Sequence, residues 1–348
     1  MANAVHPFTA LLVASIFVTA CSTTQKPAEQ SLGKCILDYD MQVDGALQAQ
    51  LEEIDARTRQ KFGLSPQQTA VGVLDLQTGR VAMIHPDRVE YAASVPKIGI
   101  LLAWFDLRRE RPPDPQTRRE LALMIKASSN EMAAKYSCEL GLKQIQDVLN
   151  RHQFYDPRRG GGIWVGKHYG RSDERYGDPV GDHSHAATVR QLLRFYLLLE
   201  QGKLVSPAAS HAMRQIFESP EIPHDEIKFV KGLAGRELHI IRKWGSWQNW
   251  LHDTAVIKGP GRHYILVALT QHPEGDAYLA ELARAVDDYF KPRNAGFIQQ
   301  QGSQIRPVLI NPGAIIRTDV PARINSGFQS PPTPAVYESP KRESQLSR

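Results

Sequence analysis

The stretch Tyr91-Ala-Ala-Ser94-Val-Pro-Lys97-Ile-Gly-Ile-Leu-Leu-Ala-Trp-Phe105 sets the frame for the rest of the chain. Its composition predicts a helix that starts at Ser94. Pro96 suits a first helical turn, where a missing N–H is no loss. The apolar run then meets no breaker before Arg111-Pro112-Pro113. On such a helix Ser94 and Lys97 lie three apart and share a face. A serine hydroxyl needs a neighbouring base to become a nucleophile. A buried lysine can be that base, because desolvation favours its neutral form. Alone, Ser-x-x-Lys is equally well an N-cap serine beside a solvated lysine, so the reading depends on what else the chain carries.

Two later stretches bear on it. One is Met124-Ile-Lys-Ala-Ser128-Ser129-Asn130-Glu-Met-Ala-Ala-Lys-Tyr136, which reads as a turn between two helices. The other is Lys243-Trp244-Gly245-Ser246, at the end of a predicted strand. Ser-x-x-Lys, Ser-x-Asn and Lys-x-Gly in that order resemble the three motifs of the penicillin-recognising serine enzymes. The 124–136 stretch is similar to the helix–turn–helix of class A β-lactamases. The resemblance covers roughly residues 65–290. It implies that Ser94 attacks a carbonyl and Lys97 accepts its proton or holds its base. Ser128 then shuttles a proton to the leaving nitrogen, and Lys243 adds positive charge beside both. The amides of Ser94 and Ser246 form an oxyanion hole, and Asn130 orients Lys97 or binds a substrate amide. Gly245 and Trp244 complete the substrate strand.

The sequence departs from that pattern at four points. Ser129 stands where class A enzymes carry a structural Asp. Trp244 replaces a hydroxyl residue that helps hold a substrate carboxylate, and is read as narrowing the site or offering a stacking face. The first two motifs are unusually close together. The 155–185 segment lacks the Glu-x-x-Leu-Asn that carries the deacylating base; Glu174 is the candidate substitute, with Asp173, Asp178 and Asp182 nearby, none in that context.

Around these motifs the 348 residues have ordinary globular composition, 42% hydrophobic and 23% charged. The formal charge of +5 is too diffuse to argue for nucleic acid. Residues 1–21 read as an export signal, with an apolar run from Phe8 to Ala20 too short to span a bilayer as a mature helix. Its end, Val18-Thr-Ala-Cys21, resembles a bacterial lipobox, although no Lys or Arg precedes it. The resemblance implies lipidation of Cys21 and an outer-membrane or periplasmic-side address in the envelope. Cys35 and Cys138 remain, and the sequence leaves open whether they pair.

The expected plan is a tether at 22–43, a catalytic domain at 44–291 and a disordered tail at 292–348. The tail is rich in Pro, Gln, Ser and Asn, with seven basic and three acidic residues and no apolar periodicity. Within the domain, helical spacing predicts helices at 44–62, 117–127, 131–139, 142–152, 186–201, 206–217 and 275–290. Alternation predicts a hairpin at 69–85 and strands at 237–244, 252–258 and 263–271. The fold class is therefore α+β: an antiparallel sheet made by both ends of the domain, flanked by helices, plus a helical lobe. Residues 155–185 read as a long, functional or disordered loop. Within it Arg158-Arg159-Gly-Gly-Gly162 reads as a flexible turn. His183-Ser184-His185 reads as helix entry rather than a metal pair, and Trp247 and Trp250 as packing groups. No cofactor or metal site is indicated.

Three functions fit. The first is an envelope serine acyl-transfer hydrolase that turns over β-lactams poorly. The others are a penicillin-binding peptidase of peptidoglycan and a non-catalytic protein that binds wall peptides or a partner. The substrate expected is a small molecule or peptide, β-lactam or peptidoglycan-like.

Overall fold

The computed structural model describes residues 32–33, 35–108, 112–170 and 173–292. The signal expected at 1–21, with Cys21, lies outside them, as does the tail expected at 292–348 apart from Pro292. Helix α1 (Gly45–Phe62) is set by its ends: Asp44 accepts from the Leu47 amide at 2.8 Å, and Gly63 closes it at φ 74°. Leu47, Leu51, Ile54 and Thr58 form its buried stripe. Strands β1 (Thr69–Asp75) and β2 (Val81–Ile84) make the expected hairpin.

The sheet closes far along the chain. β1 pairs antiparallel with β10 (Arg262–Gln271), bringing Thr69 opposite Thr270. β9 (Trp250–Gly259) and β8 (His239–Trp247) follow, giving the order β2-β1-β10-β9-β8, with β8 on the edge. One face of the sheet, with Val71 and Val73, packs on α1 and the closing helix α9 (Gly275–Phe290). The other face, with Ala70 and Leu74, packs on α6 (Val189–Glu200) and the helical lobe. Gly72 allows that approach, since a Cβ there would meet Val189 at 2.4 Å.

The lobe is built around α2 (Lys97–Arg108), whose residues 97–106 are all buried. Around it lie α3 (Pro115–Ile125), α4 (Asn130–Leu140), α5 (Leu142–Arg151) and α7 (Pro207–Glu218). Asp114 caps α3, with Pro115 at its first position, and Ser129 caps α4.

Several expectations need correction. The helix expected from Ser94 begins at Lys97. Residues 93–96 form a tight turn instead, with the Val95 amide on the Ala92 carbonyl at 3.0 Å and Ala93 at φ 48°. Strand β8 runs through Lys243–Ser246 rather than ending there, because the strand pairs on as far as Trp247 and Trp250. The short helix α8 (Lys228–Gly232) has too few residues to show a period and was not foreseen.

The 155–185 segment is ordered. It holds β4 (Tyr155–Asp156), β5 (Gly161–Gly162), β6 (Trp164–Val165) and the start of β7 (His185–Ala187), which pairs with both β6 and β3 (Glu90–Tyr91). Arg158-Arg159 therefore lies on a 3₁₀ turn that leads into β5, rather than in a flexible turn. Asp178 organises the rest, accepting from the Tyr155 hydroxyl and from the amides of Val180, Gly181 and His183 at 2.7–3.1 Å. The last part of the expected tether also packs: Leu37 is 2% exposed, and Tyr39 lies between the Arg159 and Arg190 guanidiniums. Cys35 and Cys138 are both free thiols.

One buried ion pair fixes the edge of the sheet. Arg242 and Asp253 are fully buried on neighbouring strands, with N–O distances of 2.7–2.9 Å. Arg242 also donates to the carbonyls of Asp225 and Ile227, and Asp253 accepts from the Phe229 amide. Asp253→Asn leaves that guanidinium without its charge partner, and such breaks destabilise by about 3–5 kcal/mol. The melting temperature is expected to fall by roughly 10 °C. A calorimetric shift below a couple of degrees would show that the pair is not needed.

Candidate active site

The three motifs meet where the edge strand β8 lies against the turn that carries Ser94. Their contact point is Gly245: a Cβ there would sit 2.8 Å from the Ala92 carbonyl oxygen and 2.9 Å from the Ser94 nitrogen. Only glycine lets β8 approach the Ser94 turn this closely. Ser94 and Ser246 consequently line one cavity of about 500 Å³, together with Asn130.

Behind Ser94, Lys97 is wholly buried. Its Nζ donates to the Ser128 carbonyl at 2.6 Å and to Asn130 Oδ1 at 2.8 Å, with Ser128 Oγ at 3.4 Å. Desolvation lowers its pKa to about 7. A neutral amine has two N–H bonds and one lone pair. The two oxygens use both N–H bonds, so the lone pair remains to accept a proton. Ser128 is held at φ 55°, which turns its hydroxyl back toward the lysines.

Lys243 is also wholly buried, and donates to Ser128 Oγ at 2.9 Å and to the Trp244 carbonyl at 2.6 Å. Burial, and then the neighbouring Lys97 charge, push its pKa well below the usual range. Ser128 Oγ is thus the one hydroxyl reached by both amines. The capping task that a serine here might be suspected of falls to Ser129, whose hydroxyl accepts from the Met132 amide at 3.2 Å.

Trp244 departs from its expected place. It does not line the Ser94 cavity. Its ring lies between two ammoniums, Lys228 at 4.9 Å and Lys243 at 5.1 Å, and its indole nitrogen is buried without a partner. Lys228, 1% exposed, also donates to Ser246 Oγ at 2.7 Å and pairs with Asp276 at 3.1 Å. No motif in the sequence points to Lys228, whose backbone lies at φ 51° and whose contact is with a residue eighteen positions away.

Glu174 is not brought to Ser94. It is exposed, lies 3.2 Å from His168 Nε2 and does not line the cavity. Asp173 and Asp182 are exposed, and Asp178 is committed to its turn. The residue that does reach Lys97 from this segment is Tyr169. It is 8% exposed, its hydroxyl donates to the Ala93 carbonyl at 3.1 Å, and its ring centre is 4.5 Å from Lys97 Nζ. The ring also packs on His185 at 4.2 Å. His185 bonds the Lys167 carbonyl at 3.0 Å, and burial lowers its pKa to about 4, so it is neutral at pH 7. Trp247 and Trp250, read as packing groups, both line the cavity. A larger cavity of about 780 Å³ lies elsewhere, beside Tyr39 and Arg190, and contains none of the motif residues.

The fold has known counterparts among solved structures. The solved structure of a β-lactamase from Sphaerobacter thermophilus DSM 20745 is 15% identical, with a TM-score of 0.57, and covers 70% of this chain and 97% of its own. A class A β-lactamase from Mycobacterium abscessus is 18% identical, with a TM-score of 0.55, covering 70% and 100%. The structure of PBP-A is 16% identical, with a TM-score of 0.52, covering 68% and 96%. At these identities the likeness is one of fold. No curated protein sequence matches the chain. The model of the β-lactamase enzyme family matches residues 112–290, which include Ser128, Asn130 and Lys243. That match spans just over half of the sequence, and the chain belongs to the β-lactamase enzyme family.

Proposed function

We propose that this protein is a serine acyl-transfer hydrolase that forms an acyl-enzyme at Ser94 and breaks it down slowly when the acyl group comes from a β-lactam. The observation that carries this reading is Lys97, buried, near neutrality and with its two N–H bonds already directed at carbonyl oxygens. Its lone pair takes the Ser94 proton as Oγ attacks the carbonyl carbon. The carbonyl oxygen becomes an anion beside the amides of Ser94 and Ser246. When the carbon–nitrogen bond breaks, the Ser128 hydroxyl protonates the leaving nitrogen and recovers a proton from the lysine pair. Lys243 stabilises the negative charge that passes through Ser128.

Breakdown needs a base that holds a water against the ester. Glu174 faces His168, and the Tyr169 ring occupies the flank of Lys97. This placement favours, as a second reading, a penicillin-binding peptidase acting on peptidoglycan. Side-by-side labelling with a fluorescent penicillin and a fluorophosphonate separates the readings. Penicillin labelling supports the acyl-enzyme that the hydrolase and the peptidase share, fluorophosphonate alone an esterase, and neither a binding protein. We also propose that Cys21 is lipidated and anchors the chain in the envelope. Fatty-acid analogue labelling that is lost in Cys21→Ala supports the anchor, and equal labelling of both chains removes it.

The chemistry has a pH signature. Acylation needs neutral Lys97, so its rate is expected to rise with pH through about 7 and level off above. Lys97→Ala should slow acylation on the order of 10²–10⁴-fold and abolish that limb. A flat profile from pH 5 to 9 would exclude Lys97 as the base.

Adduct lifetime is the second signature. Mass spectrometry should find a persistent penicillin adduct on the peptide containing Ser94, absent in Ser94→Ala. Glu174→Gln should leave its lifetime unchanged. Rapid hydrolysis of a chromogenic cephalosporin that is lost in Glu174→Gln would instead make Glu174 the base.

A further inference from the structure

The Ser94 cavity has an unusual wall. Of the fourteen described residues that line it, half carry an aromatic or imidazole ring and none is a carboxylate. Six of the rings fall into two sets, His168 aside, with Tyr91 and His183 packed against the second from outside its hairpin. Tyr169 and His185 sit at the back against Lys97 and are buried. The second set is at the mouth, on the hairpin between β8 and β9. Trp250 lies 5.9 Å from Tyr91 and 6.3 Å from His183, edge-on to both, and those two are 6.2 Å apart, so three rings brace one another.

Trp247 is the cross-strand partner of Trp250 and is 57% exposed at the cavity edge. The hairpin is a tight one, with Gln248 at φ 51°, so both tryptophans are held on a short, paired support. A large apolar side chain left in water beside a reacting serine gains from any flat apolar group that covers it. The braced partner needs no rearrangement to form the other side of that contact.

Resting on the acyl-enzyme reading above, we propose that Trp247 and Trp250 form a subsite for an aromatic ring on the acyl part of the substrate, with Tyr91 and His183 holding Trp250 in place. The substrates favoured are thus amides or esters of arylacyl groups. Trp244, which the sequence offered as the stacking face, is turned away between its two lysines, and the stacking role passes to the hairpin.

The test uses two thioesters of one thiol, phenylacetyl and acetyl, with the full chain. In each, Ser94 Oγ bonds to the carbonyl carbon, the carbon–sulfur bond breaks and the thiol leaves with the serine proton. Each acylation rate is divided by the rate of the same thioester with hydroxide, which removes intrinsic reactivity. The phenylacetyl-to-acetyl ratio should exceed one, and should fall about tenfold in Trp247→Ala, roughly what loss of most of an aromatic contact removes. Trp247→Phe should keep most of it, and Trp250→Ala should lower it again. Trp247 is exposed, so its variants should melt with the wild type. A ratio within twofold of wild type in both alanine variants overturns the subsite while leaving Ser94 as nucleophile. Fluorophosphonate labelling of Ser94 with no reaction from either thioester also overturns it. Failure of the fluorophosphonate and both thioesters to modify Ser94 overturns the acyl-enzyme reading itself.

Discussion

Two amines held out of water around one hydroxyl are the constraint on which this molecule turns. Lys97 and Lys243 come from opposite halves of the fold, the helical lobe and the sheet edge, and both reach Ser128 Oγ. Burial of two lysines this close is unfavourable unless each finds acceptors and at least one sheds its proton. The acceptors are backbone carbonyls of Ser128 and Trp244 and the Asn130 amide oxygen, none of which brings a negative charge. A carboxylate in their place would have held the lysines protonated and chemically idle. The absence of acidic side chains from the lining of the Ser94 cavity serves the same end.

The supporting structure follows from that need. A sheet edge must be presented to a helix start, so β8 remains unpaired on one side. Arg242, next to Lys243, faces the other way and pairs with Asp253, whose charge offsets part of what Arg242 adds beside Lys243. Lys228 on the far side of Trp244 is neutralised by Asp276. Charge is thus partly compensated around the site by Asp253 and Asp276, while the acceptors of Lys97 and Lys243 within it carry none.

Much of this was legible in the sequence. The hairpin, the late strands and seven helices follow from periodicity, and Ser94, Lys97, Ser128, Asn130, Gly245, Ser246 and Lys243 do come together. The unreadable part depended on contacts without period. The 155–185 segment looked shapeless because its strands are two or three residues long and its order comes from scattered single bonds, several of them to Asp178. Tyr169 and Lys228 reach the site through single side chains from irregular backbone. Trp244 was misjudged because strand alternation, which decides what faces Ser94, could be read only once the pairing with β9 was known.

The topology also governs when Lys97 is taken out of water. Ser94 and Lys97 are synthesised early, yet β1 finds its partner β10 some two hundred residues later, and Lys243 arrives only with β8. Such distant pairings are slow to form, because a long loop must close before any contact rewards it. Until then Lys97 has no dry environment, keeps its ordinary basicity and stays protonated. In the nascent chain Ser94 therefore has no neutral lysine beside it, and one is supplied only as the sheet is completed.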